Sequence, residues 1–143
     1  MKMKLTALIL ILVLLCPAFS AMADFSDISG LSCEQDVRFL ETLGIVEGYS
    51  ANEYAPDELL SRAEMVTIAL RTMDMYAPDY TGDDIFSDVD GDYWAYYEIS
   101  AAYEMGLVNG VGDGRFAPEQ PVSFNQAVKM LVNVLGYGYI AEI

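Results

Sequence analysis

Residues 43–48 read Leu-Gly-Ile-Val-Glu-Gly, and residues 105–110 repeat them as Met-Gly-Leu-Val-Asn-Gly, 62 positions later. The match extends upstream, because Phe-Ser-Asp-Ile at 25–28 returns as Phe-Ser-Asp-Val at 86–89. Self-similarity at a nearly fixed offset is the sequence signature of a repeat architecture. The chain therefore contains two diverged copies of one module.

Each copy predicts two helices around an ordered loop. The first helix of each copy is expected to end at Gly44 or Gly106, where a left-handed C-cap fits. The second helix of each copy begins with a capping box, in which a serine stands three residues before Glu64 or Gln126. Neither copy alone can bury both faces of its helices, so we expect the copies to pack together. Helical spacing places the apolar faces at Val37, Leu40, Leu43, Val66, Ala69, Leu70 and Met73, and at Ile99, Ala102, Met105, Ala127, Met130, Leu131, Val134 and Leu135.

Turn-forming residues separate the two helices of each copy. The loops at 48–56 and 110–118 are expected to be short and rigid, with brief extended pairing around Tyr54 and Phe116. Residues 75–84, with Pro and Gly among clustered acids, are expected to link the copies. The predicted organisation is a signal segment at 1–23, a first repeat at 24–80 and a second repeat at 81–143.

The N-terminal segment has the order of a cleavable secretory signal. A basic start is followed by an apolar run to Leu15 and by small residues up to Ala23. A spanning helix needs about 20 apolar residues, and Pro17 interrupts this run, so we expect cleavage after Ala23 and secretion. Lipid attachment at Cys16 is a minor alternative, because a small residue rather than leucine usually precedes a lipidated cysteine.

Composition excludes several classes of function. The chain holds 22 acidic and 7 basic residues, and the resulting negative field repels phosphate backbones and anionic lipid. We therefore expect no nucleic acid partner and no membrane partner after signal cleavage. Cys33 is then the only cysteine, the chain has no histidine, and no nucleophile-elbow or phosphate-loop pattern occurs. We expect no enzyme activity and no cofactor.

Calcium binding is a rival interpretation, because five aspartates crowd one segment. An EF-hand loop beginning at Asp88 requires Gly at its sixth position and Glu at its twelfth, where this chain has Tyr93 and Ile99. The chain does not match the EF-hand spacing, so no metal site is predicted. Weak calcium binding stays open as an alternative. The aspartates concerned are Asp83, Asp84, Asp88, Asp90 and Asp92.

Five short motifs in the same order resemble the S-layer homology repeat over nearly all of residues 24–135. They are Phe-x-Asp-Ile/Val, a Trp-Ala pair, Gly-Ile/Leu-Val-x-Gly, Asp-Gly-x-Phe-x-Pro and Ser-Arg-Ala-Glu. The resemblance implies an all-α fold of tandem helix-loop-helix repeats, packed as a partial pseudo-threefold bundle because the family usually uses three copies. It also implies a secreted, non-catalytic anchoring module that binds a bacterial cell-wall glycan, a secondary cell-wall polymer, and associates with the cell wall or S-layer.

The resemblance also implies which positions bind the glycan. Arg62 has a physical reason of its own, because a cation in the first turn of a helix opposes the macrodipole, and an anion held there would gain from the cation and the free amides. The alternative is an exposed arginine lying over its neighbour. The implied glycan-binding residues are Arg62, Trp94, Asp27, Asp88, Gly48 and Gly110.

The two copies depart from the family pattern in opposite ways. The second copy has Phe-Asn-Gln at 124–126 in place of Arg-Ala-Glu, and the first copy lacks the tryptophan, with Ser-Cys-Glu-Gln at 32–35. A complete ligand set requires Arg62 and Trp94 to meet in one groove. The seam between the copies is therefore the predicted site.

Two copies and an apolar last residue, Ile143, suggest a truncated part of a longer surface protein with a fused downstream domain. The alternative function is a structural half-module that forms a homo-oligomer through its apolar helix faces.

Overall fold

The computed structural model describes residues 24–75 and 84–137. Within these ranges a short 3-10 helix, Ser26–Ile28, precedes four α-helices, and no β-strand forms beyond isolated bridges. The predicted all-α class is confirmed. The predicted signal at 1–23, residues 76–83 of the predicted linker, and residues 138–143 lie outside the described residues. The helices are α1 (Glu34–Thr42), α2 (Arg62–Thr72), α3 (Tyr96–Glu104) and α4 (Phe124–Val134).

Local sequence sets the helix ends as predicted. At the start of α2 the Ser61 hydroxyl accepts a bond from the Glu64 amide at 3.2 Å, and the Glu64 carboxylate accepts one from the Ser61 amide at 2.7 Å. The equivalent residues form a capping box at the start of α4. Beyond α1 and α3, Gly44 and Gly106 have φ of 69° and 70°, a conformation that glycine adopts without steric cost.

The centre of the fold is α2, which packs against both helices of the second copy. Val66 and Leu70 of α2 are buried in one core with Ile99 of α3 and Phe116 of the second loop. Burying one such side chain stabilises the fold by about 1.5–3 kcal/mol. The two copies therefore share a core, as the sequence predicts.

The first helix, α1, lies on a smaller cluster. Val37 packs there with Phe25 and Ile28, and Cys33 is half-buried beside them at the start of the helix. Of the apolar face predicted for α1, Val37 is buried but Leu43 is exposed.

The prediction for the inner face of α4 was wrong in part. Met130 is buried and Ala127 and Val134 pack partly against the core, but Leu131 and Leu135 are exposed. The equivalent helix of the first copy, α2, is covered by α3 of the following copy. Within the described residues no following copy lies beyond α4, so its outer face has no cover.

The exposed face of α4 forms a continuous apolar stripe. Phe124, Val128, Leu131 and Leu135 are spaced four, three and four residues apart, which places them on one side of the helix. Phe124 is 81% exposed and Leu135 68% exposed. None of the helices in the described residues is long and apolar enough to cross a membrane.

The loops are tight turns. The predicted extended pairing occurs just before Tyr54 and Phe116, as the isolated bridges Ser50 to Glu53 and Gly112 to Arg115. The first loop continues into α2, whose start lies against the second loop. This arrangement positions the seam between the copies.

Candidate functional site

The opening aspartate of each copy holds the loop of the same copy. One carboxylate oxygen of Asp27 accepts hydrogen bonds from the amides of Ala55 at 2.6 Å and Tyr54 at 3.0 Å. Asp88 accepts the equivalent two bonds in the second copy, at 2.9 and 2.8 Å. Ala55 has a φ of 59°, a left-handed conformation that costs a residue with a Cβ about 1–2 kcal/mol. The carboxylates fix the loops in this shape.

These bonds favour the ionised form of both aspartates. Desolvation acts to raise their pKa, but the backbone hydrogen bonds outweigh it, and the pKa of each lies below its ordinary value of 3.8. At Asp88 the guanidinium of Arg115, with Nε 3.4 Å from Oδ2, lowers the pKa further. Both carboxylates predicted to bind glycan are thus already engaged by the protein's own loops.

The two predicted groove glycines allow close packing. A Cβ on Gly48 would overlap the ring of Phe25, and a Cβ on Gly110 would lie 2.7 Å from the Arg115 carbonyl oxygen and 2.9 Å from the Phe86 ring. Only a residue without a side chain fits these contacts. Gly48 also lines the groove described below, whereas Gly110 is not among the residues that line it.

Arg62 lies inside the protein rather than on its surface. The residue is 3% exposed, and its guanidinium donates from Nε to the Phe116 carbonyl and from Nη2 to the Asn109 carbonyl, both at 3.0 Å. Its Cζ lies 4.5 Å from the centre of the Phe116 ring, a cation-π contact. Burial lowers the pKa of Arg62, and the charge of Asp88 opposes that shift. Neither an exposed arginine nor an open cationic ligand fits this placement.

The amides at the start of α2 are also occupied. The Arg62 amide donates to the Gln120 carbonyl at 2.9 Å, and the Ala63 amide donates to the Pro118 carbonyl at 3.0 Å. These are the free amides that we expected an anion to bind. Carbonyl groups at the end of the second loop accept their hydrogen bonds instead, so this helix start joins the two copies.

A groove of about 410 Å³ runs along the seam between the copies. Trp94 comes from the second copy, and the other lining residues come from the loop and second helix of the first. Trp94 is 56% exposed, and its ring centre lies 5.8 Å from that of Tyr93, whose hydroxyl donates to Glu119 at 2.6 Å. The predicted location at the seam therefore contains a groove with Trp94 in its wall.

Aromatic and charged side chains share the first-copy wall of this groove. The Tyr49 hydroxyl donates to Glu64 at 2.9 Å, and this bond raises the pKa of Tyr49. Arg71 pairs with Glu47 across 3.3 Å. The wall thus combines the apolar faces of aromatic rings with oriented polar groups, the composition typical of a small-molecule or sugar site.

A second groove, of about 530 Å³, lies at the equivalent loop of the second copy and is lined in part by Asp88 and Arg115. Val111 occupies the position equivalent to Tyr49, and Asn133 the position equivalent to Arg71. Within the described residues no tryptophan lines this groove. The two grooves are therefore unequal.

The structure brings two of the six predicted residues, Trp94 and Gly48, to the seam groove. Arg62 is buried beneath the second loop, Asp27 and Asp88 hold the loops, and Gly110 packs against Phe86. The expected meeting of Arg62 and Trp94 in one groove does not occur.

Sequence reasoning missed Tyr49, Glu58 and Arg71, which line the groove. A signal for them exists in the repeat itself, because each of these positions differs between the copies. The equivalent residues of the second copy are Val111, Gln120 and Asn133.

No group of three acidic, cysteine or histidine residues close enough to hold a metal ion occurs in 24–75 or 84–137. Of the aspartates considered for calcium, Asp88 is occupied by the second loop, and Asp90 caps its own turn by accepting from the Asp92 amide at 3.1 Å. Asp83 lies outside the described residues.

Comparison with known proteins identifies the module. The S-layer homology domain model matches residues 24–66 and 85–128. The chain belongs to the S-layer homology family. Its two copies are tandem S-layer homology repeats, and modules of this family are non-catalytic and anchor surface proteins to the cell wall.

Relatives of this S-layer homology chain include surface proteins and enzymes. A cell surface protein of Thermoanaerobacter kivui is 30% identical over 135 residues, covering 87% of this chain and 18% of the relative. The surface-layer 125 kDa protein of Lysinibacillus sphaericus is 34% identical over 122 residues, covering 83% and 10%. Endo-1,4-beta-xylanase A of Thermoanaerobacterium saccharolyticum is 33% identical over 88 residues, covering 62% and 7%.

The chain spans less than a fifth of the length of these relatives. The shared part is the S-layer homology region, which occurs in the xylanase as well as in the surface proteins. The module is therefore carried by proteins that otherwise differ in activity.

Proposed function

We propose that this chain anchors its protein to the bacterial cell wall by binding a cell-wall polysaccharide in the seam groove. The observation that carries the proposal is the half-exposed ring of Trp94, which lines the groove together with Tyr49 and Tyr54. The apolar face of a sugar ring packs on such a ring, while polar groups at the groove edge bond to its hydroxyls. Secretion through the N-terminal signal and attachment outside the cell complete the proposal.

The groove is better suited to binding a polymer than to catalysis. It is open and lined by two copies of one repeat, so a polymer can lie along the seam without entering a closed cavity. The family match and the surface-layer relatives support the same role.

Retention on purified cell-wall sacculi tests the anchoring function. We expect the chain from Asp24 onward to co-sediment with sacculi. Trp94→Ala should lose about tenfold in affinity, because truncating an aromatic residue that a ligand covers costs more than 1 kcal/mol of binding free energy. Tyr97→Ala is the matched control, because Tyr97 is an exposed aromatic residue of α3 that does not line the groove. Equal retention of all three proteins would show that Trp94 does not contribute to sacculus binding.

Assembly through α4 is a second candidate function. The stripe of Phe124, Val128, Leu131 and Leu135 is apolar and exposed, and α4 contains no acidic residue. In a chain of net charge −15, this helix is a surface where like-charge repulsion between copies is weak. We propose that two copies associate through this stripe, and sedimentation velocity over a concentration series tests it.

A further inference from the structure

The Trp94 ring is supported by its neighbour in the sequence. Trp94 lies just before α3, and the backbone is fixed there because Ala95 is buried, but the indole itself is 56% exposed. On its protein side the indole packs against the Tyr93 ring, with the two ring centres 5.8 Å apart and the planes inclined by 39°. The orientation of the Trp94 ring therefore follows from the position of Tyr93.

Tyr93 is held at both ends of its side chain. Its ring packs against the core that the two copies share, and its hydroxyl donates a 2.6 Å hydrogen bond to Glu119. Burial raises the pKa of Tyr93 and the bond to Glu119 raises it further, so the hydroxyl keeps its proton and remains a donor. A hydrogen bond to a carboxylate is stronger than one between neutral groups. Tyr93 does not itself line the seam groove, so its effect on a ligand there passes through Trp94.

The acceptor, Glu119, is tied to the helix that forms part of the first-copy wall. Its neighbours Pro118 and Gln120 accept hydrogen bonds through their carbonyl groups from the Ala63 and Arg62 amides, at the start of α2. The same helix supplies lining residues to the seam groove. Glu119 thus connects the support of the second-copy tryptophan to the first-copy wall.

The ring and its support occur together in one copy and are absent together from the other. The corresponding part of the first copy, residues 29–35, contains no aromatic residue. The position equivalent to Glu119 is Asp57, whose side chain is one methylene shorter. The second copy therefore carries tryptophan, tyrosine and glutamate as one set.

Building on the glycan role proposed above, we infer that Tyr93 and Glu119 are positioning residues, which hold the Trp94 ring in place relative to α2 so that a sugar ring can pack on its open face. A ring that is already ordered binds more tightly than a mobile one, because ordering a side chain on binding costs free energy. Loss of the Tyr93–Glu119 bond should therefore reduce the affinity for sacculi about threefold, the effect of ordering one side chain.

Trp94 is the only tryptophan of the chain, so time-resolved fluorescence anisotropy reports the mobility of this ring alone. Tyr93→Phe keeps the ring in the core and removes the hydroxyl, and Glu119→Ala removes the acceptor from an exposed position. We expect both variants to show added fast depolarisation of the indole and about threefold weaker sacculus binding. Glu119→Gln, whose amide oxygen can still accept, should behave like the wild type. Tyr97→Phe is the matched control, because it removes a hydroxyl from an exposed α3 residue outside the groove.

The Trp94→Ala background separates positioning from direct contact with the glycan. There Tyr93→Phe should cost no further affinity, because the ring through which it acts is missing. A further loss in that background would overturn the inference. Unchanged anisotropy in Tyr93→Phe would also overturn it, and so would a more mobile Trp94 ring with undiminished binding. If the wild type binds sacculi and Tyr93→Phe binds equally well, this inference alone fails. If sacculi do not retain the wild type, the proposed function itself fails.

Discussion

Arg62 of the first repeat and Phe116 of the second are joined by two contacts, a 3.0 Å hydrogen bond from the guanidinium to the Phe116 carbonyl and a 4.5 Å approach to its ring. A third contact, to the Asn109 carbonyl, directs the same charge into the second loop. The arginine that the family resemblance assigned to glycan thus connects the two repeats of this chain.

Replacement of Arg62 by Ala should therefore destabilise the fold. The change removes two charge-assisted hydrogen bonds and a cation-π contact and leaves two carbonyl groups near the core without a donor, a loss of about 3 kcal/mol. Urea denaturation followed by circular dichroism should show a lower midpoint. The urea midpoint of Arg62→Lys should lie between those of the wild type and Arg62→Ala, because an ammonium group keeps the charge but cannot reproduce the planar hydrogen-bonding geometry of the guanidinium.

Sacculus binding by the same variants separates a structural role from a ligand role. We expect the folded fraction of Arg62→Ala to bind sacculi as well as the wild type does. If Arg62→Ala keeps the stability of the wild type but no longer binds sacculi, Arg62 contacts the glycan.

Acid should destabilise the protein through Asp27 and Asp88. Their pKa values are lower in the folded state than the ordinary 3.8, so the unfolded chain binds protons more readily. Their contribution to stability is fully present above pH 3.8 and is lost as the pH falls through the lower, folded-state values. Thermal melts across the acid range should show the melting temperature falling below pH 3.8.

Asp88→Asn serves as the matched variant for this pH effect. It should be less stable than wild type at neutral pH, because an amide is a weaker acceptor for the Phe116 and Ala117 amides than a carboxylate. Its melting temperature should change less with acid. An acid profile parallel to that of the wild type would show that other groups cause the loss of stability.

The fold was predictable because its signals are local. The capping box at Ser61 and the C-cap at Gly44 depend on residues within four positions of each other, and the repeat offset doubles each signal. The exposed face of α4 was not predictable in this way. Its apolar pattern is the same whether or not another helix covers it.

The site was predictable only as a location. Arg62 meets carbonyl groups 47 and 54 positions away, and nothing within its own helix distinguishes a buried arginine from an exposed one. Trp94 was identified from its motif, whereas Tyr49 and Arg71 belong to no motif and reach the groove through the folded seam. Their difference from the second repeat is the signal that was available.

Gly110→Ala should disturb the second loop. The added methyl group would lie 2.7 Å from a backbone carbonyl, which cannot move as a side chain can, so we expect a loss of about 1–3 kcal/mol. Gly91→Ala is the control, because a Cβ there meets nothing within 4 Å. Chemical denaturation of both variants checks the difference. Equal stabilities would contradict the close packing of Gly110 against Phe86.

A charge on the α4 stripe should prevent self-association. Leu135 is exposed at the end of the stripe, so Leu135→Asp changes little in the core but places an unpaired carboxylate against the apolar stripe of a second copy. We expect the wild type to show a concentration-dependent increase in sedimentation coefficient and Leu135→Asp to sediment as a monomer. Leu59→Asp is the control, since Leu59 is 74% exposed in the loop before α2 and lies outside the stripe. If Leu59→Asp abolishes association and Leu135→Asp does not, the interface lies on the first repeat; if the wild type stays monomeric at every concentration, α4 does not join copies of this chain.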